Sequence, residues 1–303
     1  MAPAENALAG NKLRVRRLPS QPQNAEKLLD GNPWGLSMPL HILVGSDHAR
    51  KATRSLQCHI SSGAFPRGSF IRGDEGLIVS SPELCFLQMA SELSFVELMA
   101  LGYEFCGGYR LDKESAPEQG FRNDLPLTSV AALRSFVNRA KGLKGRTNAL
   151  KALPHITDGS ASPMETALTL LLTLPYRLGG YGFPLPRLNC PIEVEINARK
   201  ASGRPSKLTF KGDLYWPDAR VDIEYDSDAW HLTSEQKEKD SRRQNALLSA
   251  GVVALTVSRK QILSISQMRE LAEELSGLLK KRVQPPMPEF TARNFKLWRQ
   301  LLL

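Results

Sequence analysis

The sequence predicts an α/β protein, and three observations in its second half carry that prediction. An apolar run of helical period, opened by Ser162 and Pro163, extends to Thr173. Two alternating runs, about Lys207 to Trp216 and Arg220 to Asp226, are joined by the turn residues Pro217, Asp218 and Ala219. A continuous apolar strand, Val252 to Val257, follows a helical stretch from Ser234 to Ala250. Helix, hairpin, helix and buried strand in that order build a mostly central sheet with helices packed against it.

Taken in order, residues 1–30 are polar, contain Pro19 and Pro22, and read as a flexible arm or a lightly docked extension. Residues 31–155 read as a small α+β domain. Its strands are His41 to Val44 and Gly76 to Val79, set between Gly, Ser and Arg. Ser81 is placed to cap a helix that has Pro82 in its first turn. Phe95 to Leu101 continues with a second helix, and Val130 to Asn138 forms a third, capped by Thr128 or Ser129. Pro154, Asp158, Gly159, Ser160 and Ser162 have the composition of a linker and place a domain boundary near 155. The domain 156–285 then holds the helix from Pro163, a Gly/Pro-rich loop from Gly179 to Pro186, a strand from Ile192 to Ala198 and the hairpin. After these come a helix stopped by Gly251, the apolar strand and an amphipathic helix from about Ile265 to Lys281. Residues 286–303 read as a tail.

Composition narrows the function classes. With 303 residues, 42% hydrophobic and 23% charged, the chain can bury one large core or two modest ones. No apolar run reaches the roughly 18 residues that span a bilayer, and no secretory h-region opens the sequence, so no membrane association and a cytoplasmic location are expected. Cys58, Cys85, Cys106 and Cys190 are scattered without a C-x-x-C pair, which argues against a zinc site and a disulfide framework. The net charge of +9 attracts polyanions. Its cations cluster at Lys12, Arg14, Arg16 and Arg17, and again at Arg134, Arg139, Lys141, Lys144, Arg146 and Lys151.

The chemistry concentrates in the hairpin. Side chains two apart on a strand share a face, so Asp222, Glu224 and Asp226 point one way. The turn at Pro217 brings Asp213 into the neighbourhood of Glu224. Oxygens gathered in this way suit Mg²⁺ or Mn²⁺, which polarises a phosphate and lowers the pKa of an attacking water. The plainer alternative is a solvated acidic strand face. His231 reads as a general base or as a contact to metal-bound water, and equally as a half-buried turn histidine. Arg243, flanked by Arg242 and Lys239, offers planar bidentate hydrogen bonds to a phosphate, against the alternative of an intrahelical pair with Asp240. Glu165 stands third in the helix that Ser162 caps. A capping box explains it locally, and a further carboxylate beside the metal is a compatible second role.

Ser162-Pro163-Met164-Glu165, Gly212-Asp213 before Trp216-Pro217, Ile223-Glu224-Tyr225-Asp226 with His231, Asp240-Ser241-Arg242-Arg243, then Leu247 and Gly251 occur in that order. Over residues 160–265 this set resembles the very-short-patch-repair-like endonucleases of the DUF559 group, within the PD-(D/E)XK superfamily. The first half, with Ser80-Ser81-Pro82-Glu83 ahead of a helix, is similar to the antitoxin-like region that accompanies such modules. The resemblance implies a restriction-endonuclease-like mixed sheet flanked by helices, preceded by a smaller antitoxin-like α+β domain, in a metal-dependent enzyme that hydrolyses DNA. It implies that Glu165, Asp213, Glu224 and His231 are catalytic, with the metal held by Asp213, Glu224 and Asp226. Arg243, Arg242 and Lys239 would contact the phosphates, with Mg²⁺ or Mn²⁺ as cofactor. The superfamily lysine two residues after the second acid is here Asp226, a lysine that the short-patch-repair-like relatives also lack, and the glycine usual after that aspartate is Ser227. The alternatives are a catalytically inactive DNA-binding or antitoxin-like regulator that keeps the fold, and a module that binds a partner protein of a defence or toxin–antitoxin system.

Overall fold

The computed structural model describes residues 12–13, 38–49, 54–61, 63–72, 78–112, 114, 116, 119–196, 206–226, 243–284 and 287–302. The elements run β1 (Lys12–Leu13), β2 (Leu40–Val44), β3 (Leu56–Ile60), β4 (Phe70–Arg72), β5 (Ile78–Ser80), α1 (Pro82–Met89) and α2 (Phe95–Cys106). They continue with β6 (Tyr109–Leu111), β7 (Phe121–Asn123), α3 (Val130–Arg139), α4 (Arg146–Ala152), α5 (Pro163–Thr173), β8 (Arg187–Ile196), β9 (Ser206–Trp216) and β10 (Val221–Asp226). A helical segment α6 over 243–249 follows, then β11 (Val253–Ser258), α7 (Arg259–Ile262), α8 (Ile265–Leu278) and α9 (Pro288–Leu302). The protein is thus mixed α/β, with several small sheets and helices. Among the described residues, no helix is long and apolar enough to cross a membrane.

Two compact units divide the chain: residues 1–91 with 134–150, and residues 92–133 with 151–303. The boundary expected near 155 therefore falls inside the second unit, and residues 92–133 belong with the C-terminal half. The reason lies in the segment that reads as a linker. Ile156 and Ser160 are buried. The Ser160 carbonyl accepts from the Gly108 amide at 2.7 Å, and the Gly159 amide donates to the Cys106 carbonyl at 3.1 Å. Asp158 caps α3 by accepting from the Val130 amide at 2.8 Å, and the Tyr103 hydroxyl donates to the His155 carbonyl at 3.0 Å. Gly, Ser and Asp here satisfy backbone groups inside a core, a task their side chains suit as well as an exposed turn.

The first unit holds a three-stranded sheet in the order β1-β4-β5 and a parallel pair β2-β3. Lys12 and Leu13, expected in a flexible arm or a lightly docked extension, pair antiparallel with Ile71 and Phe70. Of the expected strand from Gly76 to Val79, Gly76 and Leu77 lie outside the described residues, and β5 begins at Ile78. α1 starts as its sequence dictates: the Ser81 hydroxyl accepts from the Leu84 amide, Pro82 fills the first turn, and Leu84, Phe86 and Leu87 are buried.

In the second unit, β11, β10, β9 and β8 lie side by side. β8 and β9 pair antiparallel, as do β9 and β10, whereas β10 and β11 are parallel. α5 is buried from Glu165 to Thr173. Leu247 of α6 is buried against Ile192, Val194 and Val252. Gly251 follows this helix at φ 73°, the left-handed conformation that ends helices.

Within residues 286–303, expected as a tail, Pro288–Leu302 form the 15-residue helix α9. Phe290 packs edge-on to Tyr176 and Tyr181, with ring centroids 5.4 and 5.7 Å away. The buried Asn294 donates to the Gly179 carbonyl at 2.7 Å, and the Trp298 indole donates to the Ile262 carbonyl at 3.0 Å. The Gly179 to Pro186 loop is held by α9 and by the Lys281 ammonium, which donates to the Gly182 carbonyl. Gly179 has φ 93°, and a Cβ there would lie 2.3 Å from the Arg293 carbonyl oxygen. The substitution Gly179→Ala is therefore expected to lower stability by about 1–3 kcal/mol through backbone strain and displacement of α9. A thermal melt that coincides with the parent's would contradict this docking.

Candidate active site at the fork between β9 and β10

The ladder between β9 and β10 pairs Val221 with Trp216, Asp222 with Tyr215 and Ile223 with Leu214, and there it stops. Beyond that point β10 stays paired with β11 as far as Asp226 and Ser258. β9 stays paired with β8 as far as Ser206 and Ile196. The sheet therefore forks, and Asp213 and Glu224 are the residues that open the fork on either side. Asp213 Oδ2 accepts from the Tyr225 amide at 2.9 Å, so the carboxylate takes the place of a strand carbonyl. Burial raises the Asp213 pKa above the ordinary carboxylate range, against the lowering effect of that amide and of the Lys211 and Arg243 charges.

Glu224 faces the opposite charge. Arg243 of α6 brings Nη2 to 2.6 Å from Glu224 Oε1. The same nitrogen donates to the Lys211 carbonyl, and the guanidinium sits 6.0 Å above the Phe210 ring. One arginine thus spans β9 and β10 on either side of the fork. Arg243, expected to grip phosphate, is held here by a carboxylate, a carbonyl and an aromatic face.

Behind the fork lies Asp222, which is 0% exposed. Among the described residues, neither of its oxygens has a hydrogen-bond partner. The Leu214 amide favours the charged form slightly without reaching hydrogen-bond geometry. Burial, reinforced by the charges of Glu224 and Asp213, pushes the Asp222 pKa up to about 7. Gly212 makes room for this carboxylate: a Cβ there would stand 2.7 Å from Asp222 Oδ1. The sequence places Asp222 on one acidic face with Glu224 and Asp226, and its complete burial is not legible there. The available signals are its position two residues before Glu224 and the glycine on the paired strand.

Glu165 closes the arrangement from α5. The Ser162 hydroxyl accepts from the Glu165 amide at 3.2 Å and donates to Glu165 Oε1 at 3.0 Å. Oε2 accepts from the Ala161 amide at 2.9 Å and from the Asn189 amide group at 2.5 Å. Asn189, at φ 47° on β8, stands across from Asp213 between the pairs Leu188–Leu214 and Cys190–Gly212. Burial, with Asp213 adding repulsion, raises the Glu165 pKa. The capping role of Glu165 and its nearness to the acidic fork therefore coexist.

Asp226 ends β10 two residues past Glu224, about 6.6 Å along the strand. His231, Lys239, Asp240 and Arg242 lie outside the described residues. Among the described residues, no three His, Cys, Asp or Glu side chains are grouped so as to hold a metal. The two acids at the fork do fit hydrated Mg²⁺ or Mn²⁺, since Mg²⁺ takes one or two carboxylates and keeps several waters. The donors are all hard oxygens, and the raised pKa of Asp213, like that of Asp222 behind it, favours a cation that would hold these groups ionised.

No family model matches the chain, and no solved structure matches it. Two uncharacterized proteins of Mycobacterium tuberculosis, from two strains of that organism, are each 28% identical to it over 132 residues. The match covers 42% of this chain and 43% of each relative, so the chain spans less than half the length of the curated relatives it matches.

Proposed function

We propose that the protein is a metal-dependent DNA endonuclease, and that the unit carrying β8 to β11 is a restriction-endonuclease-like domain of the short-patch-repair-like kind. The observation that carries this reading is the fork. Asp213 and Glu224 open it, the buried Asp222 lies behind them with both oxygens unsatisfied, and Arg243 supplies a cationic hydrogen-bond donor at its edge. The +9 charge favours a polyanionic substrate.

In this reading Asp213 and Glu224 would hold one Mg²⁺ or Mn²⁺, and a cation bound there would supply Lewis-acid stabilisation of phosphate charge and a more acidic water. Arg243 turns part of its five-donor fork toward a non-bridging phosphate oxygen and offsets the charge that develops there. Glu165, fixed by Ser162, Ala161 and Asn189, adds a further carboxylate near Asp213. His231 is assigned as the group that takes the proton from water. Hydrolysis then adds the water oxygen to phosphorus, breaks a bridging P–O bond, and leaves the proton on the departing oxygen.

Incubating supercoiled and single-stranded DNA with the full chain, in Mg²⁺ or Mn²⁺ and in EDTA, tests this. Cleavage that needs the metal is expected. The Arg243–Glu224 ion pair favours a second reading, a DNA-binding regulator in which the arginine has taken over neutralisation of the fork. That protein would bind DNA with a steep salt dependence, cut nothing in either metal, and bind equally well in EDTA.

A further inference from the structure

The first unit contains a cationic hairpin with no part in the fork. Residues 134–148 carry Arg134, Arg139, Lys141, Lys144 and Arg146 and no Asp or Glu, five positive charges against a net +9 for the chain. Phe136, Val137, Ala140 and Ala149 are buried, so the apolar side of the hairpin faces inward, while Arg134, Arg139, Lys141 and Lys144 are exposed. The turn is built to one shape. Gly142 and Gly145 have φ 80° and 88°, and Gly145 lies so close to α1 that a Cβ would stand 2.2 Å from the Leu87 carbonyl oxygen. The Asn148 amide group donates to the Ala90 carbonyl at 3.0 Å. Arg146 Nε donates to the Val137 carbonyl at 3.1 Å, which fixes the stem of the side chain, and among the described residues neither Nη group has an acceptor. Among the described residues, no acid pairs with Lys141 or Arg146. The turn lines an open cleft of about 360 Å³, whose polar side chains are Ser91, Lys144, Arg146, Thr147 and Asn148.

We propose that this hairpin is a docking site for the backbone phosphates of duplex DNA. The inference rests on the reading of DNA as the substrate and concerns binding alone. Its charged groups are all donors, and the guanidinium matches two phosphate oxygens. Glycine at 142 leaves the backbone open to close approach. Among the described residues, no aromatic side chain lines the cleft, so it lacks the stacking platform that single strands use. Phosphate contacts of this kind fix register on a duplex and carry no sequence preference.

The test is fluorescence anisotropy of a short labelled duplex titrated with the full chain in EDTA, over a series of KCl concentrations. The parent is compared with the double variant Lys141→Ala, Lys144→Ala and with Arg146→Gln. Both lysines are exposed, and a melting curve matching the parent's checks the fold. Each phosphate that a lysine no longer neutralises is expected to flatten the slope of log Kd against log salt by about 0.9, so the double variant should flatten it by roughly 2. Arg146→Gln is expected to flatten it by about half as much. A slope and an affinity equal to the parent's in both variants would overturn the proposal. So would lysine-dependent binding to phosphatidylserine vesicles with unchanged affinity for the duplex. Because the assay contains no metal, failure here leaves the nuclease reading intact. Conversely, a hairpin effect in a protein that cuts nothing would remove only the nuclease.

Discussion

The Glu224→Gln protein is expected to lose metal-dependent DNA cleavage by at least about a thousandfold, corresponding to about 4 kcal/mol of transition-state stabilisation. Glutamine keeps the length of the side chain and an oxygen beside Arg243 Nη2, and that nitrogen still donates to the Lys211 carbonyl, so the link between α6 and the sheet survives. What disappears is the charge, and with it one of the two carboxylates at the fork. The partly exposed ion pair itself contributes little to folding, about 1 kcal/mol or less. A large loss of rate beside a nearly unchanged melt therefore separates a role in the reaction from a role in the fold. Initial rates of plasmid nicking with Mn²⁺ give the answer, and a rate equal to the parent's would remove Glu224 from the site.

Asp222→Asn is expected to do the opposite and stabilise the protein. Asp222 has a folded pKa of about 7, against an ordinary value of 3.8. The folded state therefore binds more protons than the unfolded chain between about pH 4 and pH 7. Stability falls as pH rises through that window and levels off above it. At 1.36 kcal/mol per unit, the buried carboxylate costs on the order of 4 kcal/mol at most once ionised. Burial raises Asp213 and Glu165 as well, so their contributions have the same sign. Urea titrations near pH 5 and pH 8, without metal, should show the parent losing stability across the window. Asp222→Asn should lose less and should exceed the parent at the higher pH, whereas equal pH slopes in the two proteins would mean that Asp222 is not the strained group.

Much of the second unit is legible because local signals there agree with one another. Ser162, Pro163 and Glu165 announce α5, Pro217 and Asp218 announce the turn, and the apolar run from Val252 announces β11. The nearness of Asp213 to Glu224 follows from hairpin register alone. Other features depend on tertiary packing. The amphipathic pattern of α9 is sparse, with Phe290, Asn294 and Leu297 as its buried positions, and reads as a tail until Tyr176 and Tyr181 are placed against it. The Gly-Ser-Asp run at 158–160 carries the same residue types whether exposed or buried. Strand alternation puts Asp222 with Glu224, yet its complete burial depends on what covers that face of the sheet. The bond from Asn189 to Glu165 needs a left-handed residue on β8, which no spacing reveals.

A metal site at the fork is tested by Mn²⁺ binding in isothermal titration calorimetry, with the EDTA-treated full chain compared with the double variant Asp213→Asn, Glu224→Gln. Saturable binding is expected in the parent, with its loss in the variant at an unchanged melting temperature. Binding of equal strength in both proteins, or none in the parent, would contradict a metal site at the fork.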